Sequence, residues 1–244
     1  MEIARQRLAE WQAASAGGDP DLLYNGSLAQ VPPTGQVMPT VTAYTIYWTP
    51  HNSISTRYQG LINRYFQDIG GTNFYHLATQ YYQAPPQAFI QNSSAFGASW
   101  VDSTHAYPGG RGTAANPLLD SDIQQEVLNA LATNPSWGPP GLNKMYFVFA
   151  EFGIESCMSG SFVSCTIGAG ANHNSLQNSY CAYHFSFNSG SNSVIYANMP
   201  YLGTWNSGYP ASCRGFNISR NYSPCSLRLV RRGAAWALNC PFPR

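Results

Sequence analysis

The run Met145-Tyr-Phe-Val-Phe-Ala150 constrains the fold more than any other stretch of this chain. A continuous apolar run of strand length suits a central strand covered on both faces, and such strands sit inside sheets with helices on either side. Val41-Thr-Ala-Tyr-Thr-Ile-Tyr-Trp48 mixes β-branched and aromatic residues in a Thr/apolar alternation, which predicts a strand closed by Pro50. Tyr58, Leu61, Ile62, Tyr65, Phe66 and Ile69 recur at helical spacing, with Thr56 and Gln59 placed as a capping box and Gly70 beyond, predicting a helix over about 56–69. A helix from Thr72 to Tyr81 and a strand near Gly97–Val101 come next. Pro117 and the Ser121/Gln124 pair then open a helix that Asn134-Pro135 ends. Tyr180–Phe187 and Ser193–Met199 read as the strands of a hairpin around a five-residue loop, Asn188–Asn192. The order β, α, α, β, α, β, hairpin predicts an α/β fold: a single mixed sheet with helices and a C-terminal β-hairpin at its edge.

The flanks differ from this middle. Residues 1–36 hold a short helical pattern (Ile3, Leu8, Trp11), a Gly17-Gly-Asp-Pro20 stop and a Pro/Gly-rich stretch, and read as an N-terminal arm or linker. Residues 37–218 form the α/β domain, and 219–244 an Arg-rich tail. After Glu155 the chain contains no Asp or Glu, while six of its eleven arginines fall within the last 31 residues. A hydrolytic or metal site normally needs a carboxylate, so the last third can contribute only His, Cys, Tyr, Ser and Arg.

Charged residues make up 9% of the chain and the formal net charge is +1, with Lys144 the single lysine. A phosphate-tracking groove for nucleic acid is therefore not expected. A neutral surface rich in Asn, Ser, Thr, Gln and Tyr points instead to peptide or cell-wall polysaccharide as partner. No run approaches a membrane helix, and the N-terminus lacks the apolar core of a signal peptide. The six cysteines, all within the acid-free region, nevertheless suit an oxidising, extracellular or cell-surface location.

Among residues able to carry chemistry, Glu151 and Glu155 leave the presumed central strand at its C-terminal end, where open α/β sheets place their sites, and are candidates for a substrate groove. Their alternative is that of solvated loop acids. Asp120, Asp122 and Glu126 fall in the first turns of a helix, where the macrodipole accounts for them without a function. Cys157, Cys165, Cys181 and His184 offer four soft or borderline zinc ligands, but their spacing matches no knuckle or ribbon. Disulfides among Cys157, Cys165, Cys181 and Cys213 are the better reading, with connectivity open. The five histidines form no His-x3-His or His-x2-His pair, and no Gly-x-Ser-x-Gly elbow is present. No metal or cofactor site is expected in this chain.

Ala43-Tyr-Thr-Ile-Tyr-Trp48, Leu61-Ile-Asn-Arg-Tyr-Phe-Gln-Asp-Ile-Gly70, Asn116–Ile123, Gly153-Ile-Glu-Ser-Cys157, and Cys181-Ala-Tyr-His184 with Val194-Ile-Tyr-Ala-Asn-Met-Pro200 after it occur in an order that resembles the microbial branch of the phosphate-induced, exordium-like family. The resemblance covers about residues 37–218 and implies a secreted or cell-wall-associated protein with the frame of a zincin metallopeptidase. It also implies an antiparallel edge strand beside a zinc-binding His-Glu helix, with Tyr196 and Asn198 as substrate-facing positions. The chain departs from that pattern downstream of Ile218, where the expected helix is replaced by an Arg-rich segment without His or Glu. This leaves two expectations: an out-of-frame reading from near residue 219, or a genuine basic tail that anchors to an anionic wall or membrane. Zinc is implied only for an intact relative, and the chain as it stands is read as a catalytically incomplete metallopeptidase relative. The alternative is an extracellular glycan- or peptide-binding module.

Overall fold

The computed structural model describes residues 37–83, 88–161, 164–166 and 180–201, together with the backbone of 226–229 and 236–239. The N-terminal arm, Cys213 and most of the Arg-rich tail lie outside the described residues. Within them the chain builds β1 (Val41–Trp48), α1 (Thr56–Asp68), a short α2 (Asn73–His76) and the two-residue strands β2 (Tyr82–Gln83) and β3 (Ala88–Phe89). β4 (Ser94–Asp102), β5 (Leu118–Leu119), α3 (Asp120–Thr133), β6 (Lys144–Phe152) and β7 (Ser156–Cys157) come next, then the hairpin β8 (Tyr183–Ser189) and β9 (Asn192–Tyr201). β10 (Ser226–Leu229) and β11 (Trp236–Asn239) form a separate antiparallel pair.

The main sheet has the order β4-β1-β6-β9-β8. β4, β1, β6 and β9 run parallel, and β8 pairs antiparallel with β9 at the edge. The expected mixed sheet with a hairpin at its edge is thus present. β1 and β6 are central, and each face has its own core. On one face Tyr44, Ile46, Trp48, Tyr146, Val148 and Tyr196 pack with Ile123, Val127 and Ala130 of α3. On the other, Ala43, Tyr47 and Phe149 pack with Ile62 and Phe66 of α1. Successive strand side chains point to opposite faces, and with both faces covered β6 shows no polar face in sequence.

Local chemistry sets the element ends. Ser55, not Thr56, caps α1: its hydroxyl accepts from the Tyr58 amide, so the helix begins at Thr56. Thr72 caps α2 as expected, but regular α geometry lasts only to His76 before a 3-10 turn over Leu77–Gln80. At α3 the capping side chain is Asp122, which accepts from the Leu119 amide and from the Arg111 guanidinium. The hairpin turn is Gly190-Ser191, not a five-residue loop: the ladder continues to Ser189↔Asn192, and Gly190 has φ 61.

Gly97 carries a bulge in β4. Phe96 pairs with Ala43 and Ala98 with Tyr44, so the extra residue puts Phe96 on the α1 face and Ala98 on the α3 face. A Cβ at Gly97 would lie 2.5 Å from the Tyr44 ring. Gly97→Ala must therefore displace a buried aromatic, and is expected to cost about 1–3 kcal/mol in urea unfolding. An unchanged midpoint would show that the ring yields freely.

Candidate functional site

The crossover from β1 leads through α1 to β4 on one side, whereas the chain after β6 moves toward β9 on the other. The loops after β1 and β6 therefore diverge, and the crevice outside the carboxyl ends of such strands is where open α/β sheets bind ligands. Two carboxylate–imidazole pairs occupy this end of the sheet.

The first joins the loop after β1 to the end of β6. Glu151 Oε1 accepts from Thr49 Oγ1 (2.7 Å), the His51 amide (2.9 Å) and the Ser53 amide (3.2 Å), while Oε2 meets His51 Nδ1 at 2.6 Å. The carboxylate is buried and the imidazole exposed, their side chains 3% and 72% accessible. Burial opposes ionisation of Glu151, but the hydrogen bonds from His51, Thr49 and the two amides outweigh it and hold the carboxyl below its ordinary range.

The second pair closes the end of β4. Asp102 Oδ1 accepts from the Thr104 amide and hydroxyl and the His105 amide, and Oδ2 meets His105 Nδ1 at 2.8 Å. Asp102 is fully buried and His105 half-exposed. Here too burial is outweighed, by hydrogen bonds from Thr104 and His105, and the carboxyl is held below its ordinary range. Behind this pair stands Glu126 of α3, also fully buried. Asn129 Nδ2 donates to its Oε2 at 3.1 Å, whereas Oε1 receives no N–H or hydroxyl donor from another residue, and the carboxyl's other hydrogen-bond neighbour is the Asp102 carboxyl. Desolvation, then the neighbouring negative charge of Asp102, pushes the Glu126 carboxyl up to about 9.

Tyr107 and Trp48 tie the two pairs together. The Tyr107 hydroxyl donates to the Trp48 carbonyl (2.9 Å) and accepts from the Glu151 amide (3.2 Å). Trp48 Nε1 donates to the His105 carbonyl at 2.7 Å, and the Trp48 and Tyr107 rings pack edge to face. Chemically, each pair holds an imidazole by Nδ1 against a buried carboxylate. That fixes the ring orientation: Nε2 faces a ligand or proton while Nδ1 stays on the carboxylate, and Nδ1 becomes a ligand only if the ring moves off it.

The sequence candidates are distributed differently. Glu151 lies in this site, but as a buried, fully bonded group and not as a solvated loop acid. The chain reverses at Gly153 (φ 79), and Glu155 accepts instead from the Thr166 hydroxyl. Tyr196 and Asn198 do not face a groove: both are buried, because β9 is an interior strand. Tyr196 donates to Asp120 and Asn198 to Ser156 Oγ. Cys157 and Cys165 form a disulfide, which removes them as zinc ligands, and Cys181 is disulfide-bonded as well. Asp120 accepts from the Tyr183 and Tyr196 hydroxyls, and Asp122 is a cap, so neither is idle. The macrodipole does not account for Glu126, whose side chain belongs to the buried cluster.

Sequence reasoning passes over His51, Asp102 and His105 as site residues and accounts for Glu126 without a function. Asp-x-x-His at the end of a parallel strand is one signal for them. A glutamate within the apolar stripe Ile123, Val127, Ala130 is another. The chain matches no family model, no curated protein and no solved structure, so the functional reading rests on this geometry and on the sequence.

Proposed function

We propose that this chain is a secreted or cell-surface peptide-binding protein, a catalytically incomplete relative of zinc metallopeptidases that takes an extended peptide along the outer edge of β8. The observation that carries this reading is the sheet order: four parallel strands end in one antiparallel strand, the arrangement expected of a zincin-like frame. β8 has no strand on its outer side among the described residues, so its edge offers backbone donors and acceptors to an added strand. Its sequence, Tyr183-His-Phe-Ser-Phe-Asn-Ser189, holds no acidic or Lys/Arg residue, and Phe185 is 58% exposed, an apolar anchor beside that edge. The Cys157–Cys165 disulfide is compatible with an oxidising compartment. No helix among the described residues is long and apolar enough to cross a membrane.

The zinc implied by the resemblance does not fit the segment downstream of β9. Residues 202–244 contain no His, Asp or Glu, so they offer neither imidazole ligands nor a general base. No zinc-dependent peptidase step is derived for this chain.

Titration with pools of unstructured peptides is expected to give saturable binding that Phe185→Ala weakens roughly tenfold, about 1.4 kcal/mol. Binding to cell-wall polysaccharide alone, unaffected at Phe185, would replace this reading with that of a glycan-binding module.

A further inference from the structure

The geometry points to a divalent transition-metal site at Asp102, His105 and Glu126, separate from β8 and independent of the peptide-binding reading. One ligand atom from each residue lies within 4.8 Å of the others. Imidazole and carboxylate are both zinc ligand types, three of them leave a further position open, and the imidazole favours a transition metal such as zinc over calcium or magnesium.

Acids and a histidine at a strand end do not by themselves make a site; the deciding observation is Glu126. Its side chain is fully buried, yet Oε1 has neither an N–H nor an O–H donor. Its neighbour in the cluster is the Asp102 carboxylate, itself an acceptor. Two buried acceptors set against each other require something positive between them, and a cation supplies this as a proton does.

The surroundings are built to hold such ligands in place. Thr104 and the His105 amide fix Asp102 Oδ1, Asn129 fixes Glu126 Oε2, and Trp48 Nε1 holds the His105 carbonyl. These second contacts orient the ligands and leave the contact between the Glu126 and Asp102 carboxyls, bridged by a proton in the free protein, as the one a cation can take over. Zinc ligands at about 2.0–2.1 Å in tetrahedral geometry stand about 3.3 Å apart. His105 Nδ1 and Asp102 Oδ2 are now 2.8 Å apart, so the ring must swing by about half an ångström and release its Nδ1 proton. Its half-exposed side chain allows that movement and admits solvent to the open position.

The test is zinc content after equilibration of the purified full chain with zinc chloride and gel filtration, together with zinc titration by calorimetry. One zinc per chain is expected, with Glu126→Gln and His105→Ala each weakening it at least tenfold and the exposed His76→Ala leaving it unchanged. His105→Ala removes a half-exposed side chain, so the test survives if Glu126→Gln fails to fold. Substoichiometric zinc, wild-type affinity in both variants, or preference for magnesium or calcium would overturn the assignment.

Discussion

Glu151→Ala should lower the stability of this protein by about 3–5 kcal/mol, because it strips a buried carboxylate from the donors that converge on it. Glu151 Oε1 alone receives Thr49 Oγ1 and the amides of His51 and Ser53, which together fold the loop from β1 into the entry of α1. Thr49 is itself buried, and although its hydroxyl still accepts from the Ile54 amide, its proton loses its acceptor in the interior. For a chain of this size the loss corresponds to a fall in Tm of roughly 10 °C. His51→Ala removes only the exposed partner and should cost no more than about 1 kcal/mol. Glu151→Gln keeps an oxygen for the three Oε1 donors and should fall between the two. Thermal melts of the three variants check the order; a Glu151→Ala protein as stable as wild type would mean that the loop does not depend on this carboxylate.

The second large effect is on the alkaline side. The Glu126 carboxyl sits at about 9 in the folded protein against an ordinary value of 4.5, so between those limits the folded state holds a proton that the unfolded chain has released. Stability from this group is complete below about pH 4.5 and declines as pH rises toward 9, by up to about 1.4 kcal/mol per pH unit. Asp102 and Glu151 act in the opposite sense. Held below their ordinary range, they stabilise above about pH 4, and that contribution is lost as pH falls through their folded values. Together they place maximum stability near pH 5. Glu126→Gln, neutral at every pH, should flatten the alkaline limb and exceed wild type at pH 8.5. Urea unfolding at pH 5.5 and 8.5 with a chelator present measures this. Parallel pH profiles for variant and wild type would show that Glu126 is ionised in the fold.

What the sequence discloses depends on whether the relevant contacts are near or far along the chain. β6 is legible because both its faces are apolar, β1 because it is rich in β-branched and aromatic residues, and α1 because its stripe repeats at helical spacing before Gly70. The hairpin is harder: Asn188 and Ser189 look like loop residues yet lie on the edge strand β8, which leaves polar side chains in water, and Asn192 is the exposed first residue of β9 beside the turn. β4 is underestimated for a related reason, since every second residue along most of it is exposed and Gly97 interrupts the alternation. Tyr196 and Asn198 show the reverse error. Their expected place came from the resemblance, which puts a substrate-facing edge strand at the hairpin; the edge is β8, whereas β9 lies inside the sheet and Tyr196 packs in the core on the α3 face.

The site was legible only at Glu151, through its position at a strand end. His51 lies 100 residues away from it in sequence, and Glu126 meets Asp102 across a helix–sheet packing that no local pattern records. The glutamate within the apolar stripe of α3 is the clearest trace of the cluster in the sequence. It becomes meaningful once Asp102 is known to end a parallel strand on the same side.

Amide hydrogen exchange with and without a bound peptide tests the central claim most directly. Added peptide is expected to slow exchange along β8, Tyr183–Ser189, with little change in β4 at the opposite edge of the sheet. Protection confined to any other region, with β8 unchanged at saturation, would contradict the account.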